Sequence, residues 1–286
     1  MSRAAAAVWL VTLFLACAPR QQFATLGDFA LENGEILRDC RIGYRTFGEL
    51  DTARSNAVLV TPWAMGTSWD LARQIASGRL LDVSGRYVIA VDTFGNGVAS
   101  SPSNSERQRG SAFPRFSMRD VVESQYQLLT RVLGVRHLEA VVGTSAGGMQ
   151  VFQWATAHPE FIDRAVAIAG SPRSSPADRR RWDEAVRQLP GDGTDFERQA
   201  RAMAALDVSA PFGGSLQRAA GAVRAKLLVI VPEQDEVVDP APALEFGRFA
   251  RAEVLVLDGR CGHRAPTCEG EAVRSAIARF LEDAPR

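Results

Sequence analysis

The chain has 286 residues, 46% hydrophobic and 23% charged, with 33 Lys+Arg against 33 Asp+Glu. That apolar share supplies a sizeable core, enough for one α/β domain of about 250 residues or two smaller ones. Zero net charge removes the usual argument for a nucleic-acid binder, which would show a concentrated basic face, and no heptad run or longer repeat supports a fibrous or solenoid reading.

At the amino end Arg3 precedes an uncharged, mostly apolar run over residues 4–16, and then Cys17. At about 1.5 Å per residue the run reaches about 20 Å, short of the roughly 30 Å hydrocarbon core. A positive start, a short apolar stretch and small residues beyond it describe an export signal over residues 1–17. The ending Phe14-Leu15-Ala16-Cys17 resembles a bacterial lipoprotein cleavage site. Cys17 would then be a lipid anchor, and the protein periplasmic or membrane-anchored. The alternative is an uncleaved leader retained in the membrane.

The remaining chain alternates strand and helix over one domain, residues 24–284. Ile36–Phe47 reads as an opening antiparallel pair. Short runs rich in β-branched and aliphatic residues follow at Ala57–Thr61, Tyr87–Val91, 138–142, 165–169, 226–231 and Glu253–Leu257, as expected for strands buried on both faces of a parallel sheet. Helical patterns separate them at 118–133, 146–158, 179–188 and 271–281. This alternation predicts a mostly parallel central sheet flanked by helices. Residues 173–224 lack a strand pattern and read as a helical insertion over one end of the sheet. Of the remaining cysteines, Cys261 and Cys268 are close enough to close a small loop in an oxidising compartment; with Cys40 they are otherwise three buried thiols. Their spacing from the three histidines is no metal signature.

Chemistry first becomes legible at Gly143-Thr144-Ser145-Ala146-Gly147. Gly-x-Ser-x-Gly between a predicted strand and a predicted helix suits a sharp turn that lifts a serine hydroxyl above the sheet. The helix would aim its free N–H groups at a developing oxyanion. The alternative is a glycine-rich turn whose serine caps the helix. A serine nucleophile needs a base within hydrogen-bond reach. His137 precedes a strand, at the wrong end of a parallel sheet, and His158 ends the helix that starts at Ala146. His263, just past the last strand, emerges at the same edge as Ser145 and is the candidate base. After the strand at 226–231, Glu233, Asp235, Glu236 and Asp239 compete as the orienting acid. Asp235 has the preferred offset, with Glu233 next. Two backbone N–H groups, of Ala146 and Ala64, are the candidate oxyanion donors. Trp63, Met65 and Trp69 are candidates for an acyl pocket, or for packing.

Several motifs together are similar to the homoserine O-acetyltransferase-like family of α/β-hydrolases. They are Leu31-Glu32-Asn33-Gly34-Glu35, Ser55-Asn56-Ala57-Val58-Leu59-Val60, Met118-Arg119-Asp120-Val121-Val122 and Gly143-Thr144-Ser145-Ala146-Gly147-Gly148-Met149-Gln150. The likeness runs over residues 29–173 and resumes over 227–266. It implies an α/β-hydrolase fold with a short helical lid at 173–224, a nucleophile at Ser145, an acid at Asp235 and the Gly-His pair at Gly262-His263. Two departures bear on substrate. Arg264 stands where the acyltransferases resemble one another in an aspartate that holds the amino group of homoserine, and like charges would repel that ammonium. The insertion is also shorter than a lid that builds an acyl-CoA tunnel, and Arg201 within it only faintly resembles a carboxylate-binding arginine. Short-lid members with a loop like Phe94-Gly95-Asn96-Gly97 resemble esterases for small alkyl esters. The expectation is a serine hydrolase acting on a small-molecule carboxylic ester with a small acyl group, and needing no cofactor or metal. Acyl transfer from acyl-CoA to an alcohol is the second reading, and a non-catalytic ligand-binding lipoprotein the third.

Overall fold

The computed structural model describes residues 19–189, 191 and 193–282. The leader over residues 1–17, Cys17 with it, lies outside the described residues, as do positions 283 and 284. The described chain enters the sheet through Gln22–Ala30 (β1) and turns back into Ile36–Phe47 (β2). The two pair antiparallel, with Gln22 opposite Tyr44 and Ala30 opposite Ile36. Ile36–Phe47 is therefore one long strand rather than a pair, and its partner lies upstream. That partner carries Thr25, Gly27 and Asp28 and buries only Ala24 and Phe29, a pattern an edge strand tolerates.

Ala57–Thr61 (β3), Tyr87–Val91 (β4), Leu138–Thr144 (β5), Ile162–Ile168 (β6), Lys226–Pro232 (β7) and Glu253–Leu257 (β8) complete an eight-stranded sheet in the order β1-β2-β4-β3-β5-β6-β7-β8. Only β2 runs against its neighbours; every pairing from β3 to β8 is parallel. Alternate residues of β3 serve opposite faces. Ala57 and Leu59 join one apolar cluster, Val58 and Val60 the other.

Helices cover both faces. Ser68–Ala76 (α1) lies on one side; Met118–Gln127 (α2) and Ala146–Ala157 (α3) lie on the other. Thr67 with Asp70 and Ser117 with Asp120 form capping boxes that start α1 and α2. The helix expected over 118–133 widens at Leu128–Val132, where the Leu133 N–H bonds back five residues to the Leu128 carbonyl. Between β6 and β7 come Pro176–Arg187 (α4), Asp195–Ala204 (α5) and Leu216–Ala222 (α6). Ala241–Ala250 (α7) links β7 to β8, and the short Ala265–Cys268 (α8) leads into Gly270–Glu282 (α9), which packs beside α1's face of the sheet.

Distant motifs meet. The Glu32 N–H donates to Asp120 Oδ1 at 2.8 Å, and the Ser117 hydroxyl donates to Glu32 Oε2 at 2.8 Å, so the β1–β2 turn docks on the start of α2. Burial raises the Asp120 carboxyl above its ordinary value. Cys261 and Cys268 are joined as a disulfide, and Cys40 is a buried free thiol. Among the described residues no helix is long and apolar enough to cross a membrane.

Candidate active site

Parallel strands deliver their carboxyl ends to one edge, and the site is assembled there. Ser145 occupies φ +59°, ψ −120°, between β5 and α3. A residue with a side chain pays about 1–3 kcal/mol for such a backbone, which persists only where surroundings enforce it. Here the Ser145 N–H donates to the Ile168 carbonyl of β6 at 2.8 Å. Close approach accounts for the flanking glycines. A Cβ on Gly143 would sit 2.2 Å from Thr61 Oγ1 and 2.4 Å from the Gly147 carbonyl carbon. One on Gly147 would sit 2.3 Å from the Thr61 carbonyl oxygen.

Three residues far apart in sequence come together. Ser145 Oγ lies 2.8 Å from His263 Nε2, and His263 Nδ1 lies 2.7 Å from Asp235 Oδ2. A carboxylate only accepts, so Nδ1 carries the proton and Nε2 of the neutral ring is left to accept from the serine hydroxyl. The Asp235 side chain is 1% exposed. Its Oδ1 accepts from the Val237 and Val238 N–H groups at 2.8 and 2.9 Å, which fixes the carboxylate plane. Gly262, at φ +51°, brings the His263 turn close to the Gln234 carbonyl. Glu233 and Glu236 point to solvent, and Asp239 caps its own turn by accepting from the Ala241 N–H. His137 pairs with Asp163 at 2.8 Å, beside the start of β6. His158 stacks on Tyr126 with ring centroids 4.1 Å apart. Neither reaches Ser145.

Ala146 opens α3, so its N–H has no partner within the helix, and it lines a cleft beside Ser145. Ala64 follows Trp63, which lines the same cleft. The cleft spans about 270 Å³ with its solvent-open mouth included but is narrow, with room for little more than about one or two water-sized groups. Its apolar wall is built from Trp63, Phe94, Phe116, Met118, Val121 and Met203. Of the candidates for an acyl pocket only Trp63 belongs there. Met65, in the turn after β3, and Trp69, in the first turn of α1, are both exposed. Phe94 figured in the sequence only as part of a loop motif, and Phe116 and Met203 were not singled out, since nothing local marks which apolar residues a fold will gather.

The insertion reaches this edge. Asp178 of α4 is buried and accepts from the Asp239 N–H, and Arg181 donates to the Val237 carbonyl, so α4 braces the loop that carries Asp235. Arg201 does not line the cleft; it pairs with Glu197 on α5. Burial alone would raise the Glu197 carboxyl, but Arg201 and Arg198 outweigh it and hold it below its usual value. Arg264 is exposed on the His263 turn and contributes nothing to the cleft wall.

The fold and this edge define a class. The pattern of the alpha/beta hydrolase fold family matches residues 58–253, and the chain belongs to that family. Its relatives include both esterases and homoserine acyltransferases. An ethyl acetate hydrolase of Pseudomonas veronii is 38% identical over 159 residues, 55% of this chain and 46% of that protein. A homoserine O-acetyltransferase of Methanococcoides burtonii is 36% identical over 168 residues, 52% of this chain and 34% of that protein. These matches thus take in half or less of each relative. In overall shape the chain is similar to an acetylester hydrolase from Corynebacterium glutamicum (TM-score 0.84, 22% identity, 92% of this chain and 96% of that one). It is likewise similar to a homoserine O-acetyltransferase from Bacillus anthracis (TM-score 0.82, 20% identity, 93% and 98%).

Proposed function

We propose that the protein hydrolyses carboxylic esters with a small acyl group, using Ser145 as nucleophile, His263 as base and Asp235 as orienting acid. The observation that carries this reading is the unbroken chain of contacts at 2.8 and 2.7 Å from Ser145 through His263 to Asp235, beside an apolar cleft. His263 takes the Ser145 proton as Oγ attacks the ester carbonyl, and Asp235 holds the ring and supports its charge. The oxyanion accepts from the Ala146 and Ala64 N–H groups. The alcohol then leaves with the proton from His263, and water cleaves the acyl-enzyme. The cleft's narrowness favours acetyl-sized groups. The relatives named as esterases support hydrolysis, while those named as homoserine acyltransferases make transfer to an alcohol the second reading.

Incubation with p-nitrophenyl acetate, with and without homoserine, tests the proposal. Release of acetate that is abolished in Ser145→Ala is the expected result; acetylhomoserine in its place would favour transfer. Absence of turnover, together with no labelling of Ser145 by a fluorophosphonate, would leave only a ligand-binding role. Export of the enzyme and lipid attachment at Cys17 complete the proposal, and mass spectrometry of the mature amino terminus tests them.

A further inference from the structure

The loop after β3 is a four-residue turn, closed by the Gly66 N–H donating to the Trp63 carbonyl at 2.9 Å. Its third residue, Met65, sits at φ +61°, a conformation unfavourable for a residue with a side chain. Such a turn has an alternative. Flipping the peptide between Ala64 and Met65 keeps the closing bond and returns the third residue to negative φ. The flip exchanges the Met65 N–H for the Ala64 carbonyl, so an oxygen would point where a hydrogen now points.

What holds the unflipped form is a side chain from the insertion. The Met65 N–H donates to Oε1 of Gln199, on α5, at 2.8 Å. Gln199 is 7% exposed and lines the same cleft as Ala146. Its amide is itself locked: Nε2 donates to the Phe94 carbonyl at 2.9 Å and to the Thr93 hydroxyl at 3.3 Å. With both of these acceptors facing the NH₂ group, Oε1 is left facing Met65. The Ala64 N–H belongs to the preceding peptide and is not turned by the flip. The Ala64 carbonyl, however, would swing onto Gln199 Oε1 in the cleft wall, setting a negative dipole end into the cleft where an oxyanion develops.

We propose that Gln199 is a positioning residue for the oxyanion hole, selecting the peptide orientation at Ala64–Met65 and making turnover depend on the docking of α5. The inference rests on the reading of Ser145 as nucleophile and Ala64 as oxyanion donor.

Gln199→Met keeps length and removes the polar contacts. It should lower kcat on p-nitrophenyl acetate by about 10- to 100-fold while KM stays within about twofold. Affinity for a trifluoromethyl ketone should fall by a matching factor. In that adduct Ser145 Oγ bonds to the ketone carbon, the proton passes to His263, and the former carbonyl oxygen becomes the anion in the hole. Adding Met65→Gly, which removes the penalty on positive φ, should restore part of the lost kcat. A merely structural role for Gln199 predicts no such rescue. Should Gln199→Met melt below the assay temperature, Gln199→Asn, one methylene short of the Met65 N–H, carries the same expectation. Wild-type kcat and inhibitor affinity in a folded Gln199 variant would overturn the proposal, as would the absence of any rescue by Met65→Gly. Either result, with wild-type active and Ser145→Ala dead, leaves the hydrolase reading standing. A wild-type protein that neither turns over ester nor takes a fluorophosphonate would remove both.

Discussion

Gly147→Ala puts the geometry of the serine turn to a quantitative test. The added carbon would lie 2.3 Å from the Thr61 carbonyl oxygen and 3.1 Å from that of Pro62. Both obstacles are backbone, so no rotamer change relieves them, and the end of β3 must part from the start of α3 by about 1 Å to reach ordinary contact. Overpacking of this kind costs about 1–3 kcal/mol, a fall in melting temperature of roughly 2–10 °C for a chain of this size. The same displacement moves Ser145 relative to the loop bearing Ala64, and misplacement by about 1 Å costs about 100-fold in rate. The assay is kcat/KM on p-nitrophenyl acetate alongside differential scanning calorimetry. Gly221→Ala provides the control, since a Cβ there meets nothing within 4 Å on α6. It should keep full activity and gain up to about 1 kcal/mol. A Gly147→Ala protein with wild-type kcat/KM and an unshifted melting temperature would refute the packing argument.

Three further outcomes follow from the contacts at and around the site. Asp235→Asn presents an NH₂ group to His263 Nδ1, which forces that nitrogen to accept and puts the proton on Nε2, so kcat should fall by about 10⁴ with the fold intact; a loss below tenfold would contradict it. Burial holds the His158 pKa below 6.5, against the opposing pull of Glu123. The unfolded chain therefore takes up a proton first as pH falls through 6.5, and stability present above that value is lost below it. His158→Phe keeps the stack on Tyr126 and should lose less melting temperature between about pH 7 and pH 5.5 than the wild type does; equal slopes would count against it. The Cys261–Cys268 disulfide closes the segment that carries His263. Reduction with a phosphine should lower kcat by about tenfold, reversibly, through loss of base alignment, and an undiminished rate would mean the turn holds without it.

The central strands were readable because each is a short aliphatic run that needs burial on both faces; Glu253–Leu257 emerges at its expected bounds. The serine turn was readable for a different reason, because a strained backbone with two close approaches admits few residues. Thr25 and Asp28 hid β1, since an edge strand does not demand a continuous apolar pattern. The helices α1 and α7 were also missed, although the Thr67–Asp70 capping box offered a local signal for the first. No local signal existed for Gln199. Its part depends on a hydrogen bond across 134 positions, and glutamine on an amphipathic helix reads as surface until the fold turns it inward. The disulfide was likewise open, because spacing permits a bond without requiring one.

Lys226 opens β7 and is the chain's single lysine. The seven residues of that strand span about 20 Å, and Ser145 lies at the opposite rim. Coupling chemistry aimed at side-chain amines thus has one lysine to reach, on the rim remote from the cleft. Immobilised through it, the molecules would share one orientation, with their mouths turned toward solution.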